Sequence, residues 1–159
     1  KRRALEQRTV GECVDVYARN RACSAGNIIL CDSGAIADVE VRPEGLAVFD
    51  DDDPDQRLHT NHYLTEEFTG FDEEDFPQLP DTADRLERIR TLVRQAWGTI
   101  TVDVMKEMLT DHEGDPAAIC RHGAAGLHTV SGYIAEPATG TLHIRRGHGC
   151  TGTWTAYEV

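Results

Sequence analysis

Apolar and polar positions recur along this chain with two different periods, and the periods divide it into blocks. Val10, Cys13, Val14 and Tyr17 repeat at helical spacing behind Thr9, with Glu12 where a capping-box acid reaches back to the N-cap, so 9–20 predicts a helix. "NIILCD" (27–32), "AIADVEV" (35–41) and "LAVF" (46–49) carry strand patterns, with Asp32-Ser33-Gly34 and Pro43-Glu44-Gly45 as the turns of an antiparallel meander. "RLHT" (57–60) alternates like the end of a strand and runs into Thr60-Asn61-His62-Tyr63, followed by an acidic, proline-containing loop over 65–80. A second helix is expected from Asp81 or Thr82 to about Ala96, with Leu86, Ile89 and Val93 on one side. A third spans Thr101–Leu109, with Val104, Met105 and Met108 buried. Residues 127–136 and 141–146 read as a hairpin across Pro137-Ala138-Thr139-Gly140, and 154–159 as a last strand. The sum is an α+β fold, with antiparallel strands and helices in separate blocks. "NIILC" is apolar on both faces, which asks for more cover than these helices supply.

The totals narrow the function classes. A chain of 159 residues predicts a single domain over 1–159, or a fragment of a larger one. No apolar run approaches the ~18 residues of a membrane helix, so no membrane partner is expected. A net charge of −12 repels phosphate backbones and argues against nucleic acid. Five cysteines, an odd number without framework spacing, suggest reduced thiols and a cytoplasmic location. The opening Lys1-Arg2-Arg3, without an initiator methionine, suggests a processed or cut chain.

Several residue sets invite chemistry. The run "DDDDPD" (50–55) lacks calcium-ligand spacing and reads as a solvated loop. Cys120, His122, His128, His143, His148 and Cys150 suggest zinc, but no close Cys-x-x-Cys or His-x-x-x-His pair occurs. Neither a metal nor another cofactor is expected on that ground. Cys120 with His122 could be a nucleophile and base, although a small buried thiol beside a loop histidine is the plainer account. "GHGCTG" (147–152) has no helix after it and reads as a turn rather than a phosphate loop. Asn61 and Arg85 remain. A neutral amide at a strand end can donate to a developing oxyanion, and an arginine in a first helical turn can fix a carboxylate or anchor an active site. On residue chemistry alone a structural role for each is the simpler reading.

The order of segments adds a resemblance. "SAGNIILCDSGAIADVEVRPEGLAVFD", "LHTNHYL", "DTADRLERIRTLV", "LTDHEGDPAAICRH" and "HTVSGYIAEPATGTLHIRRGHGC" together resemble the carboxyl-terminal half of the C45 peptidase family. These are the acyl-coenzyme A:6-aminopenicillanic acid acyltransferase-like members of the N-terminal-nucleophile hydrolases. The resemblance implies a four-layer αββα sandwich and autoprocessing that exposes an amino-terminal cysteine. That thiol would attack a small N-acyl amide or other acyl donor, form a thioester, and pass the acyl group to water or an amine. It implies Asn61 as the oxyanion asparagine and Arg85 as the supporting arginine, with Arg88 as the fallback. His62 and Tyr63 would hold the loop or line the substrate pocket. None of the five cysteines holds an amino-terminal place, so the nucleophile is expected on an upstream segment or a second chain, and this chain alone is expected to be inactive. Hydrolysis and acyl transfer stay open, as does homo-oligomerisation. The readings that compete are a non-catalytic binding domain built on the same scaffold and a metal-dependent hydrolase.

Overall fold

Strand β2 (Ile36–Arg42) is the centre of the amino-terminal sheet, pairing antiparallel with β1 (Gly26–Cys31) on one side and β3 (Gly45–Phe49) on the other. The computed structural model describes residues 2–50, 53–75, 81–122 and 126–158. Its chain divides into two units, Lys1–Pro80 and Asp81–Val159.

In the first unit α1 (Val10–Arg19) starts at the capping box expected of Thr9 and Glu12. Asp32 in the β1–β2 turn accepts the Val10 N–H at 2.7 Å and also the N–H groups of Gly34 and Ala35, which lowers its pKa. One carboxylate thus shapes the turn and docks the helix. The α1 face carrying Val10, Val14 and Tyr17 covers Ala37, Val39 and Val41 of β2, with Ile28, Leu30 and Leu46 beside them. The opposite face of β2 is charged and yet buried.

Residues 57–60 are not the strand their alternation suggests. This segment is fastened by side-chain hydrogen bonds instead, from His59 to Glu40 and from Arg57 to the Asp53 and Gln56 carbonyls. The acidic loop also contains a short helix, α2 (Asp72–Asp75); residues 76–80 of the expected loop, and part of the run 50–55, lie outside the described residues.

The second unit holds α3 (Thr82–Ala96), α4 (Val102–Met108) and an antiparallel sheet ordered β4 (Ser131–Glu136), β5 (Thr141–Arg146), β6 (Thr153–Glu158). Leu86, Val93 and Met108 are buried as the periodicity predicts, whereas Met105 is 39 % exposed. Strand β4 begins four residues later than its apolar pattern, because Thr129 and Val130 bond to Arg121 and Gly147 instead. The described part of the chain is α+β with two three-stranded antiparallel sheets.

Candidate active site

The residues around Asn61 are fixed by the charged face of β2. Asp38, Glu40 and Arg42 alternate along that strand on the side away from α1, and all three are buried. Glu40 is the hub. Its Oε1 accepts from His59 Nε2 at 2.8 Å and from the Leu64 N–H, and its Oε2 accepts from the Thr65 hydroxyl at 2.6 Å and the Thr65 N–H at 3.2 Å. The other ring nitrogen of His59, Nδ1, meets the Thr60 carbonyl at 2.8 Å. Both imidazole nitrogens therefore face oxygen acceptors, which is the environment of a doubly protonated ring. Burial works against charge on either group. The hydrogen bonds prevail, leaving the Glu40 pKa lowered and that of His59 raised, the latter helped by Asp38.

Asp38 is the unsatisfied member. Among the described residues neither carboxyl oxygen has a hydrogen-bond partner, and burial raises its pKa against the pull of His59. Asn27 lies close enough to favour the charged form without reaching hydrogen-bond geometry.

A second anchor lies just beyond Asn61. Tyr63 is 2 % exposed; its hydroxyl donates to Asp75 at 2.7 Å and its backbone N–H to Asp72 at 2.7 Å. Phe68 packs edge-on against its ring. Burial and Asp75 together push the phenol pKa up. Asp75 is in turn paired with Arg42 at 3.0 Å, and the Arg42 guanidinium lies over the Phe71 ring at 3.7 Å. Asn61 and His62, both half-buried, form the bend between these anchors, and Thr60 Oγ1 lies 3.3 Å from His62 Nδ1.

Arg85 belongs to the other unit. It sits in the first turn of α3 with its Nε 3.3 Å from Asp81 Oδ2, the same oxygen that Arg121 Nη1 meets at 2.6 Å. Two guanidinium groups thus share one carboxylate. Desolvation and the neighbouring Arg121 lower the Arg85 pKa, with Asp81 opposing. Arg121 Nε is buried and has no hydrogen-bond partner among the described residues. Arg88 is occupied differently: it grips Asp111 with two bonds, at 3.0 and 2.6 Å, and Glu113 at 2.9 Å, which gives the "DHEG" turn a structural purpose.

The sequence residues singled out for the site therefore fall in two places, with Asn61, His62 and Tyr63 in the first unit and Arg85 in the second. Glu40, His59 and Arg121 were missed. The alternation Ala-Asp-Val-Glu-Val-Arg showed one charged face on this strand, but only the structure shows that face to be buried, where charges need partners. A cleft of about 340 Å³ beside α1 and β1, lined by Tyr17, Arg21, Cys23 and Ile28 among others, contains none of the candidate residues.

A family model described as acyl-coenzyme A:6-aminopenicillanic acid acyl-transferase matches residues 1–148. No curated protein matches the chain.

Proposed function

Because the chain belongs to the acyl-coenzyme A:6-aminopenicillanic acid acyltransferase family, we propose that it is the carboxyl-terminal portion of an enzyme that cleaves or transfers the acyl group of a small N-acyl amide. The observation that carries the reading is the position of Asn61, in a bend braced on one side by His59 on Glu40 and on the other by Tyr63 on Asp72 and Asp75. An oxyanion donor works by being held in place before charge develops, and such bracing supplies that. The reading carries with it the four-layer αββα sandwich of N-terminal-nucleophile hydrolases.

In this mechanism the attacking thiol is an amino-terminal cysteine outside these 159 residues, with its own α-amino group as base. The placements of the five cysteines here fit that assignment. Cys13 donates to the Ala4 carbonyl, Cys23 and Cys31 are exposed, and Cys120 and Cys150 lie among histidines in the second unit. The thiolate adds to the acyl carbon, and Asn61 donates to the oxygen as it gains charge. The C–N bond then breaks, the amine leaves with the proton taken from the thiol, and a thioester remains. Water or an acceptor amine attacks that thioester and restores the thiol. Arg85 is proposed, on the family resemblance alone, as the arginine that supports the nucleophile.

The test is to incubate the complete protein with an N-acyl amide series, quench with acid, and locate the acyl adduct by peptide mass spectrometry. The adduct is expected on a cysteine outside residues 1–159. An adduct on one of the five cysteines of this chain would contradict the assignment, as would the absence of both turnover and adduct across the series.

A further inference from the structure

Three separate segments of the second unit bring four metal-ligating side chains to one point. His112 follows α4, Cys120 and His122 precede β4, and Cys150 lies in the turn between β5 and β6. One ligand atom from each falls within 4.8 Å of all the others. His112 Nε2 and His122 Nε2 are 2.8 Å apart, and the Cys150 sulfur is 3.2 Å from the same His122 nitrogen. Cys120 closes the cluster from below and is wholly buried, while the other three are exposed.

The backbone under this cluster is held independently of any ion. The Cys120 N–H donates to the Asp111 carbonyl at 2.9 Å, and Asp111 is gripped by Arg88. Arg121 and Thr129 bond across the neck of the loop at 2.7 and 3.0 Å. His148 Nδ1 meets the Thr129 carbonyl at 2.9 Å, and its ring lies against that of His122 with centroids 4.9 Å apart. Gly149 packs on the end of α4 so closely that a Cβ there would overlap the Leu109 carbonyl oxygen. Only glycine lets the segment carrying Cys150 approach the segment carrying His112.

We propose that His112, Cys120, His122 and Cys150 bind one zinc ion in a tetrahedral Cys2His2 site. With Zn–S near ~2.3 Å and Zn–N near ~2.0–2.1 Å, the ligand atoms of such a site lie roughly 3.3–3.8 Å apart. Two of the observed separations, 2.8 and 3.2 Å, fall just short of that range and all lie within 4.8 Å, so changes in separation of up to about 1 Å complete the geometry. Two imidazoles and two thiols crowd one point, and a dication at their centre would bind the thiols as thiolates and the imidazoles through their neutral nitrogens. Four protein ligands leave no open position, so the role is structural: the ion ties the loop after α4 to the β5–β6 turn. Spacing gave the opposite expectation because the ligands come as His-x7-Cys-x-His-x27-Cys, with no pair in a zinc-finger register, and because His112 did not stand out.

The test uses the full chain purified without chelators. Elemental analysis is expected to give one zinc per chain, with five titratable thiols once the metal is stripped in buffer free of added reductant. Cobalt substituted for the zinc should give the thiolate charge-transfer band and the intense d–d absorption of a tetrahedral site. Re-adding zinc to the stripped chain should raise its thermal midpoint. His112→Ala and Cys150→Ser, both at exposed positions, should lose the metal while keeping the far-ultraviolet spectrum, and Cys23→Ser should retain it. The wild-type cobalt spectrum decides the matter even where a variant fails to fold. Absence of stoichiometric zinc together with an octahedral cobalt spectrum would overturn the proposal. So would a Cys120–Cys150 disulfide in place of free thiols, or zinc retained in both variants.

Discussion

Glu40 and His59 meet at 2.8 Å in a place where the Glu40 side chain is 0 % and the His59 side chain 1 % exposed. Two opposite charges in such surroundings are costly to bring out of water and are kept only when their remaining hydrogen-bonding capacity is used. Glu40 spends it on the backbone and hydroxyl of Thr65 and the backbone of Leu64, His59 on the Thr60 carbonyl. The pair thereby fastens both ends of the segment containing Asn61 to the central strand of the sheet.

Removing one partner should therefore be expensive. Glu40→Gln keeps the shape but leaves His59 without a carboxylate and sets an amide group against the Thr65 donors. Breaking a buried pair in this way costs about 3–5 kcal/mol. Urea denaturation of wild type and variant measures it, and a loss below about 1 kcal/mol would show that the pair does not hold the segment.

The pair also sets a pH dependence. The folded pKa of Glu40 lies below its ordinary 4.5, so its contribution to stability is complete above that value and is lost as pH falls through the folded pKa. For His59 the folded pKa lies above 6.5, so its contribution is complete below that value and is lost as pH rises through the folded pKa. Asp38, raised by burial, weakens the fold in the same direction as pH rises. The stability difference between wild type and His59→Gln should accordingly shrink as pH increases above 6.5. A difference independent of pH across that range would mean that His59 is neutral in the fold.

Tyr63→Phe isolates the second anchor. The ring and its contact with Phe68 remain, while the bond to Asp75 is lost and Asp75 keeps Arg42. Hydrogen bonds to charged groups contribute about 1.5–3 kcal/mol, and the surviving ion pair places this one at the lower end. The expected result is a lower thermal midpoint, with kcat of the complete enzyme reduced far less than by loss of Asn61. A kcat as low as that of an Asn61 variant would place the phenol at the reacting atoms instead.

The elements were legible because local signals agreed with one another. The Thr9–Glu12 capping box, the turn at Asp32 and the 3.6-residue period behind Leu86 and Val93 each produced the element they predict. The segment 57–60 failed for a non-local reason: its alternation fits a strand, but His59 is drawn to Glu40, 19 residues earlier, by a side-chain bond that the local pattern does not register. Glu40 and His59 are 19 residues apart and Arg121 and Asp81 are 40 apart, distances across which period and spacing carry no information. The convergence of His112, Cys120, His122 and Cys150 was hidden in the same way, since three loops had to be folded before the four ligands became one set.

The most direct measurement is the kinetics of Asn61→Ala in the complete enzyme. Loss of one oxyanion donor costs about 2.7–4 kcal/mol of transition-state stabilisation, roughly a hundred- to a thousand-fold in kcat. The bond tightens only as charge develops, so KM should stay within about a few-fold. The thermal midpoint is measured alongside, so that kcat is compared between equally folded proteins. The account predicts a collapse of kcat with KM close to wild type. A fully folded Asn61→Ala enzyme with near-normal kcat would contradict it.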